Sequence, residues 1–237
     1  MKRFYKNVAV EAADTGHVVT LDGRLLKTPG KASLVLPTRQ LADAVAAEWD
    51  AQSEDVLPDT MPQMQLASTA IDRVAPRHSD VVLEIAAFGG TDLLCYRAEE
   101  PQELVAKQVK QWDPYLAWAR EHLGADLKVT SGIMPVSQED DALAALMRHV
   151  AGHDAFELAA LHRFTNGFGS LVLALAYMKD YSPLEAAWEA SILDSLHQEE
   201  EWGTDWEAEE KRASLHADLL DAAAFLSHLR NKTLETV

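Results

Sequence analysis

Val18-Val19-Thr20-Leu21-Asp22-Gly23-Arg24-Leu25-Leu26-Lys27 sets the fold class of the amino-terminal third of the chain. Two short apolar segments, residues 18–21 and 24–27, flank Asp22-Gly23, a pair that readily takes positive φ and so favours a type I′ hairpin turn. Upstream, Val8 and Val10 alternate with polar neighbours. Downstream, Leu34-Val35-Leu36 is another apolar run, stopped by Pro37. A small antiparallel sheet is the economical reading.

Beyond the sheet the period changes. Thr38 is placed to cap a helix over residues 41–52, where Leu41, Val45 and Trp49 make one apolar stripe. Pro58 and Pro62 punctuate the chain before helices over 66–74 and 81–88, the second stopped by Gly89-Gly90. Leu93-Leu94-Cys95-Tyr96 reads as a buried strand leading to a loop at Glu99-Glu100-Pro101. From Gln102 onward the spacing is helical nearly throughout. A helix over 104–118 should kink or break before Asp113, because Pro114 removes a backbone donor and crowds the preceding turn. Residues 132–135 read as a linker. Helices are expected over 140–150, 155–165 and 170–177, with Gly152, Gly167 and Gly169 as stops.

Two further starts carry capping signatures. Ser182-Pro183-Leu184-Glu185 has the form of a capping box, and Thr204-Asp205-Trp206-Glu207 repeats it after Gly203. The last helix spaces Ala208, Arg212, Leu215, Leu219, Ala222, Leu226 and Leu229 by fours and threes, a seam for packing on another helix. The fold class is therefore α+β. A small, mainly antiparallel β amino-terminal domain with short helices, residues 1–100, precedes a larger α-helical domain, residues 101–237.

Charge and composition narrow the function. The 237 residues carry 38 acidic against 21 basic side chains, a formal charge of −17. Such a field repels phosphate backbones and anionic lipid, so neither nucleic acid nor a membrane surface is an expected partner. No run approaches the roughly 18 apolar residues of a membrane span. Phe4-Tyr5-Lys6-Asn7 follows Met1-Lys2-Arg3 where a signal peptide would turn apolar. Cys95 is the single cysteine, which excludes an internal disulfide and a thiolate metal cage; its apolar neighbours make it a buried structural residue rather than a nucleophile.

Catalytic signatures are absent. No glycine-rich loop ends in lysine and a hydroxyl residue, and Gly167-Phe168-Gly169 reads as a turn between packed helices, because Val172 stands where a third glycine belongs. His149, His153 and Glu157, spaced by four, would present two imidazoles and a carboxylate on one face of an unbroken helix, the ligand set of a metal-dependent hydrolase. Gly152 and the cap-like Asp154 break that helix, which favours two surface histidines near a junction. No catalytic residue, metal or cofactor is expected.

The least ordinary local feature is Gln198-Glu199-Glu200-Glu201-Trp202-Gly203. Three carboxylates at a helix C-terminus stand against the macrodipole, at a cost of a few tenths of a kcal/mol or more each. The plain reading is a solvated acidic face beside a chain reversal. The other reading is charge set beside apolar surface for a partner.

Several segments, taken in order, resemble one family. Phe4-Tyr5-Lys6, Leu21-Asp22-Gly23-Arg24 with Lys27-Thr28-Pro29, Glu48-Trp49-Asp50-Ala51-Gln52, Met61-Pro62 with Ala70-Ile71-Asp72-Arg73, and Thr91-Asp92-Leu93-Leu94-Cys95-Tyr96-Arg97 match the ATP-twelve family of F(1)-ATPase assembly chaperones. Gln111-Trp112-Asp113-Pro114, Gly169-Ser170-Leu171, Ala187-Trp188-Glu189-Ala190-Ser191 and Gln198-x-Glu200-x-Trp202-Gly203 continue the series to about residue 210. The resemblance implies a chaperone, not an enzyme, that binds the free alpha subunit of the ATP-synthase F(1) sector and shields it until the beta subunit replaces it. It implies a protein of the bacterial cytoplasm or, after processing, the mitochondrial matrix, monomeric when free. The acid of the last signature, Glu200, is the position it most associates with function; Gln198, Glu201, Trp202 and Asp205 complete the candidate partner surface. Asp194-Ser195 departs from the acidic pair the family often carries just before that signature. Trp49 and Trp188 lie on apolar stripes and read as core anchors.

Overall fold

The computed structural model describes residues 2–132, 134–203 and 205–231, apart from the side chain of Trp202. The chain forms two compact units. The first comprises Met1–His78, Asp154–Ala160 and Leu220–Val237; the second comprises Ser79–His153 and Leu161–Leu219.

In the first unit, β1 (Val8–Ala13), β2 (Gly16–Leu21), β3 (Arg24–Leu25) and β4 (Val35–Leu36) form an antiparallel sheet in which β2 is the hub, pairing with the other three. Val8 faces Leu21, Thr20 faces Leu25 and His17 faces Leu36. Asp22 and Gly23 both take positive φ, 49° and 76°, as the expected hairpin turn requires. The Asp22 carboxylate accepts from the backbone N–H of Lys6 (3.1 Å) and Asn7 (2.9 Å), fixing the entry of the chain and holding its own pKa below the usual range.

Helix α1 (Arg39–Asp50) is capped as expected, Leu41 N donating to Thr38 Oγ1 at 3.2 Å. Its buried residues Leu41, Ala42, Val45 and Trp49 pack toward the sheet, whose own buried residues include Val19, Leu21 and Leu36. Helix α2 (Pro62–Thr69) starts earlier than its apolar spacing suggests, and runs into a π-helical turn, Ala70–Val74. Glu48 explains the early start: its carboxylate accepts from Gln63 N (2.7 Å) and Met64 N (2.8 Å), satisfying two orphan donors of α2. Burial nevertheless pushes its pKa up to about 7.

The second unit is helical: α3 (His78–Ala87), α4 (Gln102–Trp118), α5 (Asp140–Ala151), the later turns of α6 (Ala155–Phe168), α7 (Leu171–Met178), α8 (Leu184–Ser191), α9 (Leu193–Trp202) and the first turns of α10 (Trp206–Arg230). In α7 every residue but Tyr177 is buried, so its sequence carries no polar face. Its N-terminus rests on Asp92, which has no exposed surface. The Asp92 carboxylate accepts from Ser170 Oγ (2.7 Å), Val172 N (3.0 Å) and Leu94 N (3.1 Å), while burial holds its pKa above the ordinary range.

Three local expectations are corrected. Pro114 does not break the helix, since α4 runs unbroken through it. Trp112, Tyr115 and Trp118 are buried on its inner face, and that burial outweighs the roughly 3 kcal/mol a helical proline costs. Residues 93–96 are not a strand of their own: Leu93–Cys95 form a tight 3-10 turn capped by Asp92, and only Tyr96–Arg97 (β5) pair, in parallel, with Thr130–Ser131 (β6). Ser182 does not cap α8, because its hydroxyl is 2.7 Å from Tyr115 Oη and donates to Pro183 O. Thr204 lies outside the described residues. Asp205 carries the cap that its neighbourhood foretold, accepting from Glu207 N at 3.0 Å.

Candidate functional site

The acidic end of α9 is built from three carboxylates with three different fates. Glu199 turns toward α10, where Arg212 donates to both of its oxygens, the Nη2 contact at 3.0 Å. About four-fifths of each side chain in this pair is covered, so the bidentate bridge braces the reversal between the helices. The bond raises the Arg212 pKa further. Glu200 turns the other way, to α4, accepting from Lys107 Nζ at 2.8 Å; the same ammonium lies 3.1 Å from Glu103 one turn back. That bond holds the Glu200 carboxyl below its ordinary pKa and raises that of Lys107. Glu200 stays 62% exposed, so it is a fixed, ionised group facing solvent. Glu201 is exposed as well.

His197, one turn before Glu200, is 5% exposed, and neither ring nitrogen has a hydrogen-bond partner among the described residues. Its Nδ1 stands 3.7 Å from Glu200 Oε2, an ion-pair separation if protonated but too long for a hydrogen bond. Gln198 lines a polar cleft of about 690 Å³ with Asp194, Tyr96, Arg97, Glu99 and Gly132. Asp194 is committed inward, accepting from Gln108 Nε2 at 2.8 Å, while Gln108 Oε1 takes the Ala98 N–H at 2.9 Å.

Of the five candidate partner residues, the fold places Gln198, Glu200 and Glu201 on the exposed surface of α9 and Asp205 at the start of α10, where its side chain is also the helix cap. The side chain of Trp202 lies outside the described residues. Sequence spacing missed two members. Lys107 orients Glu200 across 93 residues, and its only local signal is the Glu103–Lys107 pairing at i,i+4. Trp206 is 69% exposed at the first position of α10, an indole with most of its surface in water beside Glu207 and Asp205. Its sequence context showed a helix start but not which way the ring points.

The metal alternative is not assembled. His149 lies in α5 with its Nε2 3.2 Å from Leu123 O, His153 follows the Gly152 stop, and Glu157 belongs to α6. Among the described residues no group of three His, Cys, Asp or Glu side chains could hold a metal ion. Cys95 has no exposed surface, and burial pushes its thiol up to about 12, so it is a packing residue. Among the described residues no helix is long and apolar enough to cross a membrane.

Set against known proteins, residues 2–120 match the model of a family described as ATP12 chaperone protein. The chain belongs to the ATP12 chaperone family. Its fold agrees: the crystal structure of Atp12p from Paracoccus denitrificans is 41% identical with a TM-score of 0.93, covering 97% of this chain and 98% of that one, and an aspartate-to-lysine variant of that protein superposes equally well. The Atu1473 protein of Agrobacterium tumefaciens is 43% identical with a TM-score of 0.91, over 96% of this chain and 86% of its own. Among curated proteins, the mitochondrial atp12 protein of Schizosaccharomyces pombe is 27% identical over 215 residues, 86% of this chain and 74% of the relative. The α+β organisation of a small amino-terminal antiparallel sheet followed by helices is thus the ATP12 fold.

Proposed function

We propose that this ATP12 family member holds the free alpha subunit of the ATP-synthase F(1) sector before the beta subunit covers the same surface, and that it acts by binding and not by catalysis. The observation that carries the reading is a fixed exposed carboxylate near the end of α9 together with an exposed indole at the start of α10. Glu200 is oriented by Lys107, and Trp206 is solvated over most of its area. Partner surfaces concentrate binding energy in aromatic anchors, with oriented charge selecting the partner. A net charge of −17 adds steering toward a basic face of the client. Gln198, Glu201, Trp202 and Asp205 complete the proposed surface. The client's identity comes from the ordered motif series, which also supports action in a bacterial cytoplasm or a mitochondrial matrix and a monomeric free state.

Co-expression with the isolated F(1) alpha subunit tests the reading. The soluble yield of the alpha subunit should rise with this protein present, and crosslinks should fall on α9 and the start of α10. An unchanged yield would end the proposal.

A further inference from the structure

Apart from the α9–α10 surface, the first unit contains an apolar cleft of about 820 Å³, within the range of roughly 300–1,000 Å³ that ligand pockets occupy. The family-signature segments of the amino-terminal third converge on it: Lys27-Thr28-Pro29, Trp49, Met61 and Asp72-Arg73 all line it. Met61, Met64 and Val56 give it an apolar wall, and methionine adapts its shape to what it packs against.

Two of its lining residues carry polar atoms left without a partner among the described residues: Trp49 Nε1 and Ser68 Oγ are buried, and each residue is 7% exposed. An orphaned buried polar atom is costly to keep, and α1 and α2 retain one each. An indole N–H can only donate, so it requires an acceptor; the serine hydroxyl can donate or accept. A peptide group supplies both functions.

The rim is charged, and its sign is against that of the protein. Lys27 and Arg73 line the cleft, are exposed, and make no ion pair or side-chain hydrogen bond among the described residues. Asp72 is the one carboxylate of the lining. Both its oxygens are engaged, Oδ1 by Thr28 Oγ1 (2.7 Å) and Oδ2 by Gly30 N (2.8 Å), so it clamps the turn that follows Lys27. Gly30 lets the turn approach closely, since a Cβ would stand 2.7 Å from the Asp72 carboxyl and displace it. Arg73 and Asp72 sit on the π-helical turn Ala70–Val74, a geometry found often at functional sites.

We propose that this cleft binds a short extended segment of another polypeptide in which an apolar side chain is followed at once by a carboxylate. The apolar group seats on Trp49, Met61 and Met64, a backbone carbonyl takes the Trp49 N–H as the indole shifts to meet it, and the carboxylate meets Lys27 and Arg73. A fatty carboxylate would satisfy the rim but bring no second polar group for Trp49 and Ser68. The inference is independent of the α9–α10 surface, and the two fail separately: variants of Glu200 leave the cleft intact, and variants of the rim leave Glu200 intact.

The test is fluorescence anisotropy with the full chain and the dye-labelled peptide Gly-Ser-Leu-Phe-Asp-Glu-Ser-Gly. Saturable binding is expected, weakening with salt. It should weaken about tenfold or more when Asp-Glu is replaced by Asn-Gln, when Leu-Phe is replaced by Ser-Ser, or in the Lys27→Glu/Arg73→Glu variant. Both rim residues are exposed, so that variant is expected to keep its circular dichroism. In a ¹H–¹⁵N spectrum, the indole resonance missing from Trp49→Phe should move on peptide addition. No anisotropy change up to millimolar peptide, equal binding of the charge-neutral peptide, or undiminished binding by the rim variant would each overturn the proposal. Saturable displacement of the indole resonance by decanoate but not by the peptide would overturn the polypeptide occupant.

Discussion

Asp92 and Glu200 are both carboxylates at helix ends in the second unit, and they do opposite work. Asp92 sits at the N-terminus of α7 with no exposed surface and three donors converging on it, so helix dipole and hydrogen bonds act together to keep a charge-bearing group inside the protein. Glu200 sits near the C-terminus of α9, where the dipole disfavours it, and is held in solvent by a lysine from a distant helix. The first carboxylate stabilises structure at a position where binding is impossible. The second, 62% exposed, contributes little to folding, and it is the group the proposed partner surface is built on.

The largest test of that contrast is Asp92→Ala. Three buried donors would lose their acceptor together, and unfolding free energy should fall by about 3–5 kcal/mol, read by denaturant titration. Loss comparable to a surface mutation would show that α7 does not depend on this cap. Breaking the brace between α9 and α10 should cost less. Glu199→Ala removes a mostly covered bidentate pair and should lower stability by about 1 kcal/mol, with hydrogen exchange rising first in residues 199–212.

Glu48 occupies the middle ground, half-buried at the N-terminus of α2. Its folded pKa of about 7 lies above the ordinary 4.5, so the folded state binds the extra proton between these values. Its contribution is therefore present in full below pH 4.5 and is lost as pH rises through 7. Solvent screening at a half-buried site reduces the linkage to about 1 kcal/mol. Glu48→Gln should flatten the stability profile between pH 4.5 and 7, and an unchanged slope would assign the pH dependence elsewhere.

The smallest effect on stability belongs to Glu200→Lys, which should leave circular dichroism and the unfolding midpoint unresolved from wild type while lowering the soluble yield of co-expressed F(1) alpha subunit. The exchange Lys107→Glu/Glu200→Lys sharpens this: it restores the bridge between α4 and α9 but reverses the exposed carboxylate. If holding returns, Glu200 is a brace; if holding stays low, it is a contact.

The hairpin at Asp22-Gly23, the Thr38 cap and the stripe Leu41, Val45, Trp49 were legible because each depends on residues within one turn of one another. Pro114 misled for the opposite reason. Local propensity argued for a break, and Trp112, Tyr115 and Trp118, buried against distant segments, overrode it. Ser182 has the sequence of a cap, but its hydroxyl oxygen is paired with that of Tyr115, 67 residues away. At the candidate site, the Gln198-x-Glu200-x-Trp202-Gly203 signature marked the segment by pattern. Nothing local said that Glu199 would brace while its neighbour Glu200 stood exposed.

The sequence by itself determined the α+β class, most of the helices and, through its ordered motifs, the family. Period, turn chemistry and capping are short-range, so they survive in one dimension. Only the tertiary structure decided which carboxylates are cap, brace or exposed charge, that Lys107 fixes Glu200, that Trp206 faces water, and that Lys27, Trp49, Met61 and Arg73 line one cleft. Those outcomes depend on burial and on pairs separated by tens of residues, and the free energy of a charge or an indole is set by what the fold places around it.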